Sequence, residues 1–386
     1  MLFRPAVYFT QRPDSMLAIP LFEVSQMSVS TSPDRHLLVI GGYGVVGTAV
    51  VELMHRTPGW QLTTAARRRP PTSLLDGSPA PAHISADLLD VAGTARAFAG
   101  LGSVTDLVFC AYSERESMAA TVAPNLAMLE HSLKALRQAG ARLRQVVLIG
   151  GGKSYGEHLG SYKTPAKESD PRFMGPIFYN DQEDLLWHEA EREGFAWTVL
   201  RPDGVMGPSL NSPMNILTGI ASFAAISQAL NLPLRFPGSL QAWSALHQAT
   251  DSRVLAQAVL WALTSPNAQQ QVFNVTNGDH FRWQHLWPQI AGFFGLASAA
   301  PQPMNLGVQM ADKAPLWARI VQEQQLRPTP WEQIAAWPFV DGWLNTGYDM
   351  VQSTIKIRQA GFTGCIDSHQ SVLEQLQRLR DYRLIP

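Results

Sequence analysis

Apolar runs and polar breaks alternate over the first two thirds of the chain. Leu37–Ile40, Gln61–Ala66, His83–Ala86, Leu107–Tyr112, Gln145–Ile149 and Trp197–Arg201 read as strands, joined later by Val272–Val275. Between them Thr48–Arg56, Val91–Phe98, Pro124–Gln138, Glu183–Arg192 and Ser252–Leu263 read as helices. Strands alternating with helices predict an α/β protein on a doubly wound parallel sheet. Two stretches rich in Trp, Pro and Met, Gly207–Trp243 and Phe281 onward, break the alternation and predict a smaller C-terminal lobe.

The first strand runs straight into glycines. His36–Gly47 reads HLLVIGGYGVVG, with Gly41, Gly44 and Gly47 ahead of the helical stretch. Strand, glycine turn, helix is how an α/β protein sets backbone N–H groups on a pyrophosphate at a helix N-terminus. One glycine makes the tight turn, one admits the phosphates, one lets the helix pack close. Val45 and Val46 lie inside this segment and are assigned to the same cofactor contact. The G-x-x-G-x-x-G spacing is similar to that of extended short-chain dehydrogenases/reductases. Residues 31–206, with 250–277 returning to them, are therefore expected to bind a dinucleotide. Residues 207–249 and 278–386 are expected to form the substrate lobe that closes over it.

The end of the second strand faces the adenosine ribose in such a fold. A carboxylate there would bind the 2′-hydroxyl of NAD. This chain has Arg67, Arg68 and Arg69 instead. Guanidinium forks suit a 2′-phosphate, so the expected cofactor is NADP, working as NADPH. The plain alternative is a solvated arginine loop. After the third strand, Asp87 and Leu88 stand where the adenine would lie, although an Asp there equally suits a turn or helix cap. Tyr112 and Ser113, after the fourth strand, are expected to line the cofactor site.

Composition narrows the partner classes. A chain of 386 residues, 46% hydrophobic with 11 Trp, can bury a sizeable core in one or two domains. Lys+Arg 30 against Asp+Glu 31 gives a net charge of −1, which points away from nucleic acid and anionic membranes. The only cysteines, Cys110 and Cys365, cannot build a disulfide framework and fit a reducing cytoplasm. No Cys/His cluster has metal-ligand spacing, and His280 and His285 are expected to be structural or exposed. No stretch reaches the ~18 apolar residues of a membrane span. The best, Leu217–Leu230, is interrupted by Thr, Gly, Ser and Gln. Residues 1–30 carry no strand or glycine-loop pattern. They are expected to be a disordered arm, or to reflect a start codon upstream of Met27.

Chemistry is expected at the carboxyl ends of the strands. Ordinary short-chain reductases carry Tyr-x-x-x-Lys on one helix, but Tyr155, Tyr162 and Tyr179 are followed four residues later by Leu159, Ala166 and Glu183. The lysine stands elsewhere. Gln145–Ile149 runs into Gly150-Gly151-Gly152-Lys153, which puts Lys153 just past the fifth strand, facing the cofactor cleft. The plain alternative is a solvated loop lysine.

GGGKSYG (150–156), FYNDQEDLL (178–186), WTVLRPDGVMG (197–207), SPMN (212–215) and FNVTNGDHFRW (273–283) together resemble the progesterone 5β-reductase/iridoid synthase-like family of atypical short-chain reductases. The resemblance runs from about His36 to Pro386. It implies an extended Rossmann fold, NADPH, a homodimer, and hydride delivery to the β-carbon of a small apolar enone or enal. Lys153 matches the family lysine, and Arg67 and Arg68 match its 2′-phosphate arginines. Val205 is expected to touch the cofactor through its backbone, and Ser212 and Met214 to lie near the nicotinamide and substrate. Asn125 is expected to be structural, and Arg201 to make a structural ion pair. Met174, Phe223, Trp243, Trp337 and Phe339 are candidates for an apolar substrate wall.

One departure matters. The family motif reads Asn-Phe-Tyr-Tyr-x-x-Glu-Asp, with the second Tyr catalytic. Strict register puts Asn180 at that position and matches Tyr179 to the first Tyr. Three readings follow. Asn180 donates to an enolate oxygen beside Lys153; or Tyr179, Tyr112 or Tyr155 takes over; or the redox activity is lost. A 1,4-reduction tolerates the change better than carbonyl reduction, because the enolate's proton can arrive afterwards. The first function expected is thus an NADPH-dependent enone or enal reductase, or a related carbonyl reductase. The alternative is an NADP-binding cyclase, isomerase or sensor.

Overall fold

In the computed structural model the described residues are 35–68, 80–209 and 212–386, so Arg69 and the N-terminal segment 1–30 lie outside them. Strand β1 (Arg35–Ile40) sets the plan. Leu37 and Val39 point to one face and Leu38 and Ile40 to the other, and all four are fully buried. A strand that is apolar on both faces has to be covered on both. Helix α1 (Val45–Arg56) and the later helix Ser252–Thr264 cover the Leu37 face. Helices α2 (Val91–Phe98), α3 (Met118–Gln138) and α4 (Phe178–Glu193) cover the Leu38 face.

The remaining strands are β2 (Trp60–Ala66), β3 (Ala82–Ser85), β4 (Asp106–Phe109), β5 (Gln145–Ile149) and β6 (Ala196–Pro202). They pair in parallel in the order β3-β2-β1-β4-β5-β6, and the strand Gln271–Val275 adds to the β6 edge. The order reverses between β1 and β4. The loops leaving those strands diverge there, which opens the crevice where ligands bind in such sheets.

Several boundaries differ from the expected ones: α1 starts at Val45, not Thr48, and three more bear on the site. β4 ends at Phe109, not Tyr112: Cys110 N–H still donates to Ile40 O (3.0 Å), then the chain crosses the glycine turn. Helix α3 starts at Met118, not Pro124, because the Ser117 hydroxyl accepts from Ala120 N–H (3.2 Å) and caps it earlier. Helix α4 starts at Phe178, not Glu183, which brings residues 179 and 180 into its first turn.

The Trp-rich segments build their own core. Helix α5 (Ile216–Ala229) lies in it with Phe236, Trp283, Trp287, Trp317 and Trp337. The C-terminal helix Ser368–Asp381 ties this core back to the sheet: Gln375 and Ser371 donate to buried Asp251 (2.6 and 2.7 Å), and the Tyr382 hydroxyl donates to Glu52 of α1 (2.6 Å).

Candidate active site

The turn after β1 is shaped by contacts a side chain would forbid. Gly41 has φ +85°, and a Cβ there would lie 2.7 Å from Ala111 N. A Cβ on Gly47 would lie 2.2 Å from Gly41 O. A Cβ on Gly44 would meet nothing closer than Gly41 O at 3.9 Å, so this glycine faces open space. Gly44 also starts α1 with no side-chain cap and no acidic residue in the first turn. The N-terminal N–H groups of α1, around the half-buried Val45 and Val46, are therefore left for an anion. This is the cradle a pyrophosphate fits.

Arg67 and Arg68 are exposed at the end of β2, and neither pairs with a carboxylate among the described residues. Among the described residues, that strand end carries no acid to repel a 2′-phosphate. Asp87 is exposed, and its Oδ1 accepts from Leu89 N–H (3.1 Å), the turn role weighed for it. The Leu88 side chain is buried in the core, so only its backbone is available to a ligand. Tyr112 is partly exposed, its ring 5.4 Å from Phe178 and its hydroxyl bonded to Glu114. Burial, then Glu114, holds that phenol far above its usual range.

The turn after β5 carries the lysine. Gly151 is extended, and Gly152–Tyr155 make a single 3₁₀ turn with Lys153 half-buried in it. The Tyr179 ring lies against this turn: a Cβ on Gly151 would be 2.8 Å from its Cε2 and 3.0 Å from its hydroxyl oxygen. That hydroxyl makes no hydrogen bond among the described residues. Burial first, then the charges of Glu157 and Glu114, push its pKa well up, so it stays a neutral donor. Asn180, one helical step away, has its side-chain oxygen sealed from solvent without a partner. Of the pair, Tyr179 is the one whose ring packs on the lysine turn. Tyr155 is taken up elsewhere: its hydroxyl donates to Asn274 (2.6 Å) and its ring lies under the Arg201 guanidinium.

Tyr179 is held by what anchors α4. Arg201 of β6 forks onto buried Glu183 (2.9 and 2.7 Å), and Arg172 adds a further bond to Glu183 (2.8 Å). Arg201 is thus the structural ion pair expected of it. Asn125 bonds Ser113 N–H and C=O (both 2.8 Å), and its own carbonyl accepts from Gln182 of α4 (2.8 Å). It staples the loop after β4 to both helices.

Val205 and Ser212 are half-buried, as is Met214. Asn215 of the SPMN segment caps α5, accepting from Thr218 N–H (3.2 Å) and donating to Gly207 O (2.9 Å). The proposed apolar wall fares unevenly. Phe223 and Trp337 are buried in the lobe core, Trp243 and Phe339 pack against it, and Met174 is fully exposed. Trp343, unremarked in the sequence, packs over Gly204, next to Val205: a Cβ on Gly204 would be 2.2 Å from its ring. Also unremarked were Glu157, Asp203, Gln248 and Gln352, a buried polar group beside Lys153. Carboxyls so far apart in the chain, outside any periodic pattern, give no signal of meeting.

Among the described residues no group of His, Cys, Asp and Glu could hold a metal ion, and no helix is long and apolar enough to cross a membrane. Cys110 donates to Ile40 O (3.1 Å), and burial pushes its thiol up to about 12. Cys365 is exposed and unpaired.

With this geometry in place, likeness to known proteins becomes informative. Residues 80–354 match the PRISE-like Rossmann-fold domain. The chain belongs to that family. It is 32% identical to an (S)-8-oxocitronellyl enol synthase of Camptotheca acuminata, over 90% of this chain and 93% of that one. It is also 32% identical to a 3-oxo-Δ(4,5)-steroid 5-β-reductase of Arabidopsis thaliana, over 92% and 95%. Among solved structures it resembles a short-chain dehydrogenase/reductase superfamily protein of Agrobacterium tumefaciens with bound NAD: TM-score 0.62, 19% identity, 91% of this chain and 98% of that one. That likeness speaks for the fold.

Proposed function

We propose that this PRISE-like protein reduces small α,β-unsaturated carbonyl compounds with NADPH, placing hydride on the β-carbon of an enone or enal. It is an oxidoreductase of the short-chain dehydrogenase/reductase type, and its relatives include a named steroid 5-β-reductase. The observation that carries the reading is the meeting of Tyr179 with the Lys153 turn at the carboxyl end of β5.

Bound NADPH supplies the hydride. The chain does the rest. The turn at Gly41, Gly44 and Gly47 presents backbone N–H groups to the pyrophosphate, and Arg67 and Arg68 hold the 2′-phosphate. The Tyr179 hydroxyl and the Lys153 ammonium stabilise the oxygen on which negative charge develops as the double bond is reduced. Asn180 flanks this pair. The lobe around α5 covers the substrate's apolar body and excludes water.

The test follows NADPH absorbance with a panel of enones, enals and simple aldehydes. Turnover of enones and enals, lost in Tyr179→Phe and kept in Asn180→Ala, is expected. Turnover that survives Tyr179→Phe but not Asn180→Ala moves the oxygen-stabilising role to Asn180. No NADPH oxidation by any member of the panel contradicts the reading.

A further inference from the structure

Tyr43 stands inside the glycine turn after β1, between Gly42 and Gly44, and has no part in the mechanism above. It is half-buried, and its hydroxyl lies 2.7 Å from Thr64 Oγ1 of β2. Thr64 is fully buried and stands opposite His83 of β3 in the sheet register. Its Oγ1 also lies 3.0 Å from His83 Nδ1 and 3.2 Å from Ala82 O. The Tyr43 and His83 rings meet edge to face, their centroids 5.5 Å apart. Ala82 O can only accept. With the single Thr64 proton on it, Tyr43 O–H and His83 Nδ1–H both donate to Thr64.

These contacts tie three consecutive strand ends together between two places suited to an anion. One is the N-terminus of α1, which begins directly after Gly44. The other is the exposed pair Arg67 and Arg68 past the end of β2. The main chain makes the first link, since Gly41 N–H donates to Ala65 O (2.9 Å). Past Gly41 the Tyr43 side chain carries the link, reaching back to Thr64, next to Ala65 on β2. Glycine backbone by itself leaves such a turn free to shift. Two anion sites reinforce each other on one ligand only while their separation is held, because holding it removes an ordering cost from binding.

We propose that Tyr43 is a specificity residue for the 2′-phosphorylated adenosine of the cofactor. Pinned by Thr64 and His83, it sets the separation between the pyrophosphate turn and the two arginines, so that an adenosine with phosphate on both its 5′ and 2′ positions engages both at once. The inference rests on the NADPH reading. Thr64 and His83 are positioning residues, since they act through Tyr43. A ligand with both phosphates gains from this spacing, whereas a ligand with one phosphate does not.

Calorimetry of the full chain with adenosine 2′,5′-bisphosphate, 5′-AMP and adenosine 2′-monophosphate reads the effect without turnover and without a nicotinamide. Wild type is expected to bind the bisphosphate more tightly than either monophosphate. Tyr43→Phe removes the hydroxyl and keeps the ring, and Thr64→Val removes the partner hydroxyl and keeps the shape. Each is expected to weaken the bisphosphate roughly tenfold, the upper end for one hydrogen bond, with both monophosphates nearly unchanged. Thr64→Ser keeps a hydroxyl and is expected to retain the wild-type preference. Equal losses for all three ligands make Tyr43 a plain contact, and no loss in either variant removes it from the site. Either result overturns the spacing role, as does a Thr64→Ser that behaves like Thr64→Val. A wild type that binds the bisphosphate no more tightly than 5′-AMP overturns the NADPH reading itself, and the spacing role with it.

Discussion

Glycine-rich turns stand at the carboxyl ends of β1 and β5, and they use the missing Cβ in opposite ways. After β1, Gly41 and Gly47 bring backbone against backbone, and Gly44 opens onto empty space. After β5, Gly151 and Gly152 are covered by the chain's own side chains: the Tyr179 ring on one, Glu157 and Gln352 on the other. On the proposed reading the first turn is a seat for a ligand. The second is a platform that gathers a lysine, a phenol and a buried carboxyl. A glycine's surroundings, rather than its presence, separate a binding loop from a reacting one.

The comparison breaks most severely at the anchor of the second turn. Glu183→Gln leaves the buried Arg201 charge unpaired and should cost about 3–5 kcal/mol of stability. Chemical denaturation checks the loss, and the fraction that folds should still bind NADPH, since the β1 turn is untouched. Lys153→Ala should lower kcat by about 10²–10³-fold, the size of a lost oxyanion donor, with NADPH affinity largely kept. Equal losses in both would make Lys153 a cofactor anchor. Gly47→Ala presses a methyl on backbone that cannot yield and should destabilise by about 1–3 kcal/mol. Gly44→Ala sharpens the contrast: the melting temperature should hold while NADPH affinity falls about tenfold, roughly 1.4 kcal/mol, by calorimetry.

The smallest effect is on pH dependence. With Glu157 and Asp203 held above their ordinary range, the folded chain keeps a proton that the unfolded chain releases. That contribution is complete on the acid side of the ordinary carboxyl range and is lost as pH climbs through the raised values. His158, lowered to about 4, acts the other way: stability falls as pH drops from its ordinary value of about 6.5 toward 4. Between about 4 and 6.5 the two effects oppose each other, and above that range the loss from the carboxyls acts alone. Glu157→Gln should flatten the alkaline limb and leave the acid one.

Much of the β1 turn was legible in the sequence, because its roles are local: strand, glycines and helix are contiguous from Arg35 to Arg56. The β5 turn was legible only as far as Lys153. Motif register put Asn180 in the tyrosine's place, and the expected helix began at Glu183. The helix in fact begins at Phe178, and that first turn lays Tyr179 on Gly151. Glu157, Asp203 and Gln352 meet only through the fold. The aromatic residues suggested as a substrate wall have the composition of a core, and two of them, Phe223 and Trp337, are core.

The most direct test uses NADPH carrying deuterium at nicotinamide C4 and a simple enone, with the product examined by NMR. Deuterium at the β-carbon, with the label lost from the cofactor in step, is what a 1,4-reduction at the Lys153–Tyr179 platform requires. Deuterium at the carbonyl carbon, or a product that never acquires the label, would contradict it.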